Sequence, residues 1–161
     1  MEEIRKDLER AFANNRDQIL SGQYMPLVVN GFRNYVKSTF DNGEKIVSLL
    51  LSSTKESEVP AECRFIDIFF LPAGEELGAH LHEKATAQIA VMQGSGKALI
   101  GDEVIPFETG DTLTFPKGVV HNVLAHEGEE LVFISFQDSP IPQEDGTFDF
   151  KTVKNAKKLT A

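Results

Sequence analysis

Residues 72–94 read PAGEELGAHLHEKATAQIAVMQG, and residues 110–125 read GDTLTFPKGVVHNVLA. Each stretch joins a turn rich in glycine or proline to a short run of β-forming residues, and each carries histidine. In an extended segment residues two apart point to the same side, so His80 and His82 present both imidazoles to one face. His121 stands in another β-rich run, directly after the turn Pro116-Lys117-Gly118.

The same texture extends outward from these stretches. From Glu44 the chain runs KIVSLLLSS, RFIDIFFL, TAQIAVMQ, KALI, EVIPF, TLTF, VVHNVLA and ELVFISF. Most of these runs are separated by turn residues such as Gly94-Ser95-Gly96, Gly101-Asp102 and Gly110-Asp111. Many short strands with such punctuation predict an all-β fold over residues 44–137, an antiparallel sandwich or barrel. Residues 1–22 instead place Ile4, Leu8, Phe12, Ile19 and Leu20 near helical spacing, which predicts an N-terminal helix. Residues 23–43 read as a linker or edge strand, where FRNYVKSTF between Asn30-Gly31 and Asn42-Gly43 forms one strand of a hairpin. Residues 138–161 form a C-terminal extension, with Pro140, Pro142 and a Lys-rich tail expected to be solvated or to clasp a second subunit.

Composition narrows the function classes. Of 161 residues, 41% are hydrophobic and 25% charged, ordinary values for a soluble globular protein. Sixteen Lys and Arg against twenty-five Asp and Glu leave a net charge of −9. That sign repels phosphate backbones and anionic bilayers, so neither nucleic acid nor a membrane is expected as a partner. The single cysteine, Cys63, can form no intrachain disulfide and is expected to be a small core residue. The charged start MEEIRKDLER and the lack of a long apolar run point to a cytoplasmic protein. Gly94-Ser95-Gly96-Lys97 lacks the spacing of a phosphate-binding loop and reads as a hairpin turn.

Histidine chemistry gives the histidine-bearing stretches a purpose. Neutral imidazole is the commonest protein ligand for Zn, Fe, Cu and Ni. Three such ligands on one ion leave positions open for water or substrate. A lone His-x-His on a strand is more often a solvated face, and His126, in the loop-like AHEGEE, reads as a surface residue. The spacing around His80, His82 and His121 lifts them above that bland reading.

In the first stretch Gly74 is followed after five residues by His80, then His82, Ala87 and Gly94. In the second, Gly110 is followed after five residues by Pro116, then Gly118, His121 and Ala125. These resemble the two motifs of the cupin superfamily, G-x5-H-x-H-x(3,4)-E-x6-G and G-x5-P-x-G-x2-H-x3-N. Eight of the ten fixed positions match, with fifteen residues between Gly94 and Gly110. The resemblance covers residues 44–137 and implies a small, RmlC-like double-stranded β-helix, the jelly-roll barrel, with an N-terminal helix outside it. It implies that His80, His82 and His121 hold one divalent metal ion, with Fe, Zn, Ni and Mn not distinguished. It also implies that Gly74, Gly94, Gly110 and Gly118 occupy turns needing positive φ or close backbone approach.

Two positions depart from the pattern. The motif asparagine is replaced by Ala125, which removes no ligand. The family's metal-binding glutamate is replaced by Ala87, which removes a carboxylate. Three outcomes follow: a site of three histidines, as in the diketone- and thiol-dioxygenase branches of the family; participation of Gln88 as a fourth ligand, or of Glu83; or loss of metal. Alternation points both Gln88 and Glu83 away from the histidine face unless a bulge re-aims them. Three neutral imidazoles would leave the ion at +2, a stronger Lewis acid that favours anionic ligands.

Two function classes stand against each other. One is a mononuclear-metal enzyme of oxygenase, isomerase or lyase type acting on a small anionic or oxygen-bearing substrate, with no catalytic residue assigned. The other is a non-catalytic cupin that senses or stores a metal or small ligand. A third possibility is a structural barrel with a dead site. Asp67 could face inward, to orient a histidine or act as a base, or outward at a subunit edge. A homodimer is expected, because a lone sheet edge benefits from being covered.

Overall fold

The computed structural model describes residues 32–39, 43, 45–51, 65–141, 145 and 147–160. The expected N-terminal helix and Cys63 lie outside the described residues. Eleven strands form among those described: β1 (Phe32–Thr39), β2 (Lys45–Leu51), β3 (Phe65–Leu71), β4 (His80–Leu81), β5 (Ala87–Gln93), β6 (Ser95–Ile100), β7 (Glu103–Glu108), β8 (Thr112–Phe115), β9 (His121–Ala125), β10 (Leu131–Gln137) and β11 (Lys151–Thr152). They make two antiparallel sheets in the order β1-β2-β3-β10-β5-β8 and β11-β4-β9-β6-β7. The all-β double-stranded β-helix implied by the motifs is the observed fold.

The β-rich runs become strands because their punctuation lets the chain reverse between sheets. β1 and β2 form the expected hairpin, with Thr39 opposite Lys45 and Gly43 at φ +86° in the turn between them. All four motif glycines have positive φ. At Gly94 (φ +87°) there is a second constraint, because a Cβ would stand 2.7 Å from the carbonyl oxygen of Glu130. Any side chain there would clash with backbone as well as strain the turn. Pro106 sits in β7, at the edge of its sheet, where its missing N–H costs no ladder bond.

The core lies between the sheets. Leu71, Ile89, Val91, Leu131 and Phe133 from the larger sheet meet Ala98, Phe107, Val123 and Ala125 from the smaller one. Phe69 and Phe133, cross-strand partners on β3 and β10, stack with ring centroids 4.7 Å apart. Burying each large side chain contributes about 1.5–3 kcal/mol. The outward residues Ile66, Ile68, Phe70 and Ile134 are buried as well, so β10 is buried on both faces.

The C-terminal extension returns to the barrel. Lys151 and Thr152 of β11 pair with Leu81 and His80 of β4, which carries the first motif. The Val153 amide donates to the Ala79 carbonyl at 2.8 Å and extends that attachment.

Candidate metal centre

Register explains how distant residues meet. His80 on β4 is the direct cross-strand partner of His121 on β9. His121 shares its face of β9 with Val123 and Ala125, which belong to the core between the sheets. Both imidazoles therefore point into the barrel. His82 lies two residues beyond His80, and the Gly118 amide donates to its carbonyl at 2.6 Å. That bond fastens the turn before His121 to the end of the first motif. Ring centroids lie 4.3 Å apart for His80–His121 and 5.1 Å for each of the other two pairs.

All three histidines are buried, at 4%, 7% and 3% exposure for His80, His82 and His121. The Nδ1 of His80 reaches the Gly78 carbonyl at 2.8 Å, and that of His121 reaches the Val119 carbonyl at 2.9 Å. The Nδ1 of His82 reaches the carbonyl of Asp149. A carbonyl can only accept, so each Nδ1 carries the proton and each neutral ring keeps its Nε2 lone pair free. This is the outer-shell hydrogen bonding that fixes tautomer and orientation in metal-ligating histidines.

The electrostatics favour the same protonation state. Burial, with the neighbouring His121 and His82, lowers the pKa of His80 to about 3, against an opposing hydrogen bond to Gly78. Burial lowers His121 to about 4, opposed by its bond to Val119 and assisted by His82. Both rings are neutral at physiological pH, the form that binds a metal.

The residues present fit an ion. One nitrogen from each histidine lies within 4.8 Å of the others, and together they form a group that could hold a metal. Nitrogens about 2.1 Å from a common ion stand about 3–3.5 Å apart at tetrahedral angles. Closing onto one ion thus takes ring movements of roughly an ångström. A bound divalent ion would supply Lewis acidity toward an oxygen atom of a bound molecule.

Aromatic rings hold the imidazoles. Phe115 stacks on His121 at 4.7 Å and 17°, and Phe150 stacks on His80 at 4.1 Å and 18°. Phe150, 44% exposed, lies between the cluster and solvent.

Asp149 has no counterpart in the sequence reading. Its carboxylate accepts from the amides of Glu83 (2.7 Å), Lys84 (2.9 Å) and Ala85 (3.0 Å). Burial raises its pKa, but the amides of Lys84, Glu83 and Ala85, together with His82, hold it below the ordinary carboxylate value. One residue thus clamps the loop after His82 with its side chain and orients the His82 ring with its backbone.

The remaining sequence-derived residues fall as follows. Ala87 is buried in the core, across from Phe115 and Gln137. Gln88 follows it on β5, and alternation turns it to the opposite face of the sheet. Glu83 is exposed and forms a 2.6 Å ion pair with Lys151. Asp67 faces the interior, on the same side of β3 as Phe69, and accepts from Gln137 Nε2 at 3.0 Å. His126 is exposed.

Residues 67–136 match the family model of the cupin domain, and this segment is a cupin domain. Solved structures share the fold. KdgF from a Halomonas species superposes with a TM-score of 0.53 at 17% identity, covering 68% of this chain and 89% of that one. An RmlC-like cupin from Shewanella frigidimarina superposes with a TM-score of 0.53 at 17% identity, covering 69% and 87%. An uncharacterized double-stranded β-helix protein from Klebsiella pneumoniae is 22% identical, with a TM-score of 0.43 over 45% of this chain. The match spans 64% of that protein's length, less than two thirds. No curated protein matches the chain at a significant level. Among the described residues no helix is long and apolar enough to cross a membrane.

Proposed function

We propose that this cupin binds one divalent metal ion through His80, His82 and His121 and takes a small oxygen-bearing anion into the pocket beside it, as an enzyme of oxygenase, isomerase or lyase type. The observation that carries this reading is the threefold use of Nδ1 on backbone carbonyls, which leaves three Nε2 lone pairs within one buried group. A histidine cluster kept only for packing has no need of three matched tautomers.

A site of three histidines is favoured over a fourth protein ligand. Gln88 faces the other side of β5, and Glu83 is engaged with Lys151 in solvent. Ala87 contributes a methyl group where a carboxylate would neutralise part of the ion's charge. Three neutral ligands leave the full +2 to attract an anionic ligand, and open positions to receive it.

Elemental analysis of the purified protein beside His121→Ala tests the proposal. The expected result is near-stoichiometric divalent metal in the wild type and its loss from the variant. Equal metal content in both would refute the site. Bound metal without turnover of small anions would move the protein to the sensing or storage class.

A further inference from the structure

The larger sheet carries a second polar feature inside the barrel. Asp67, Ser135 and Gln137 lie on the interior face of β3 and β10, beside the stacked pair Phe69 and Phe133. Ser135 is directly opposite Asp67, and Gln137 directly opposite Ala87. Ser135 and Gln137 are 4% and 3% exposed, unusual burial for uncharged polar side chains in a small barrel. Such groups are kept inside only when hydrogen bonded.

Their bonding is only half complete. Gln137 Nε2 donates to Asp67 Oδ2 at 3.0 Å and to Ser135 Oγ at 2.9 Å. A carboxylate accepts only, so the amide nitrogen must face Asp67, and both of its hydrogens are committed. Gln137 Oε1 and the Ser135 hydroxyl hydrogen meet no protein partner among the described residues. One acceptor and one donor therefore stand side by side, buried and unspent.

The path from this pair to the histidines runs through the smallest side chain available. Gln137 on β10 is across from Ala87 on β5, and Ala87 is across from Phe115 on β8, whose ring backs His121. Two strand spacings are about 10 Å. Ala87 places only a methyl group in that span, where a glutamate would place a carboxylate. Phe65, Asp67 and Phe69 on the interior face are partly exposed, whereas Ile66, Ile68 and Phe70 on the outer face are buried.

We propose that Asp67, Ser135 and Gln137 form a recognition wall for the hydroxyl groups of a small hydroxylated carboxylate whose anionic end lies at the histidine cluster. The anionic end rests on the metal reading above; the hydroxyl end does not. A hydroxyl both donates and accepts, so one such group satisfies Gln137 Oε1 and Ser135 Oγ–H together. An ammonium group only donates and would leave Ser135 unmet. The two strand spacings between β10 and β8 set the scale, and acids on the order of four to six carbons probe it.

Binding of matched acids tests the wall: malate against succinate and aspartate, and gluconate against hexanoate. Ligand-observed NMR titration is run on Zn(II)-loaded and on metal-free protein. At least one hydroxylated acid is expected to bind roughly tenfold more tightly than its deoxy partner. The preference should disappear in Ser135→Ala and in Gln137→Leu while zinc content is unchanged; Ser135→Ala guards against misfolding of the bulkier change. No hydroxyl preference in either form of the protein overturns the proposal, as does a preference that survives both substitutions or one for aspartate over malate. Failure to load zinc refutes the metal reading alone, because the metal-free titration still reads the hydroxyl preference.

Discussion

Ala87 and Phe115 are cross-strand partners on β5 and β8, and the Phe115 ring lies flat against His121. The residue standing where the family places its carboxylate is thus one ring removed from His121, the histidine of the second motif. Ala87→Glu is expected to raise Zn(II) affinity at least about tenfold, because a carboxylate adds a ligand and offsets one positive charge. Without metal the same change buries an unpaired carboxyl group and should cost about 2–4 kcal/mol of stability. Calorimetric titration and thermal melts with and without zinc measure both; unchanged affinity would show that position 87 does not face the ion.

Acid should weaken the metal-free protein in a defined window. His80 and His121 have folded pKa values of about 3 and about 4, below the ordinary value near 6.5. Between pH 6.5 and 4 the unfolded chain binds protons that the folded chain refuses, so stability falls as pH falls. Each histidine contributes up to about 1.4 kcal/mol per pH unit in that window. Asp149 acts in the same sense at lower pH, with a depressed carboxyl pKa whose stabilisation is lost as pH drops through the ordinary carboxylate range. Urea midpoints across pH 7.5 to 4.5 measure the histidine term, and a flat profile would contradict their buried, neutral state.

Replacing Asp149 should damage the metal centre from outside it. Asp149→Ala leaves the amides of Glu83, Lys84 and Ala85 without their acceptor and frees the loop after His82. We expect a loss of about 2–4 kcal/mol in stability and roughly 10–100-fold in metal affinity. Asp149→Asn, which keeps one acceptor oxygen, should fall between. Equilibrium dialysis with zinc at a temperature where each variant is folded separates the two effects; undiminished affinity would reduce Asp149 to a structural role.

Phe150 offers a spectroscopic check. Its ring covers His80, and burial is the main reason that histidine resists protonation. Phe150→Ala should move the His80 pKa upward toward its ordinary value, visible in histidine-resolved NMR titration of the metal-free protein. A titration curve identical to the wild type would place the burial of His80 elsewhere.

How far the sequence disclosed this depends on the residue. His80, His82 and His121 were legible because glycine and proline spacing is local, and turns demand those residue types at fixed intervals. Asp67 was ambiguous for a physical reason. Alternation put it on the face of Phe65 and Phe69, opposite Ile66 and Ile68, but both faces of β3 are apolar and no hydrophobic contrast says which is interior. Asp149 was invisible because its partners lie 64 to 67 residues away in sequence. Its only local mark is a place between two phenylalanines ahead of a lysine-rich tail. Ser135 and Gln137 were hidden in a strand whose burial on both faces follows from tertiary packing alone.

The pairing of His82 with Asp149 also sets an order of events during synthesis. The ring leaves the ribosome 67 residues before the carbonyl that orients it. At about 5–20 residues per second, that interval is roughly 3–13 seconds. Throughout it the nascent chain displays His80 of β4 and the neighbouring His82 with neither the strand β11 nor the clamp on the following loop. The histidine cluster is therefore completed late, by a segment that closes over rings already made.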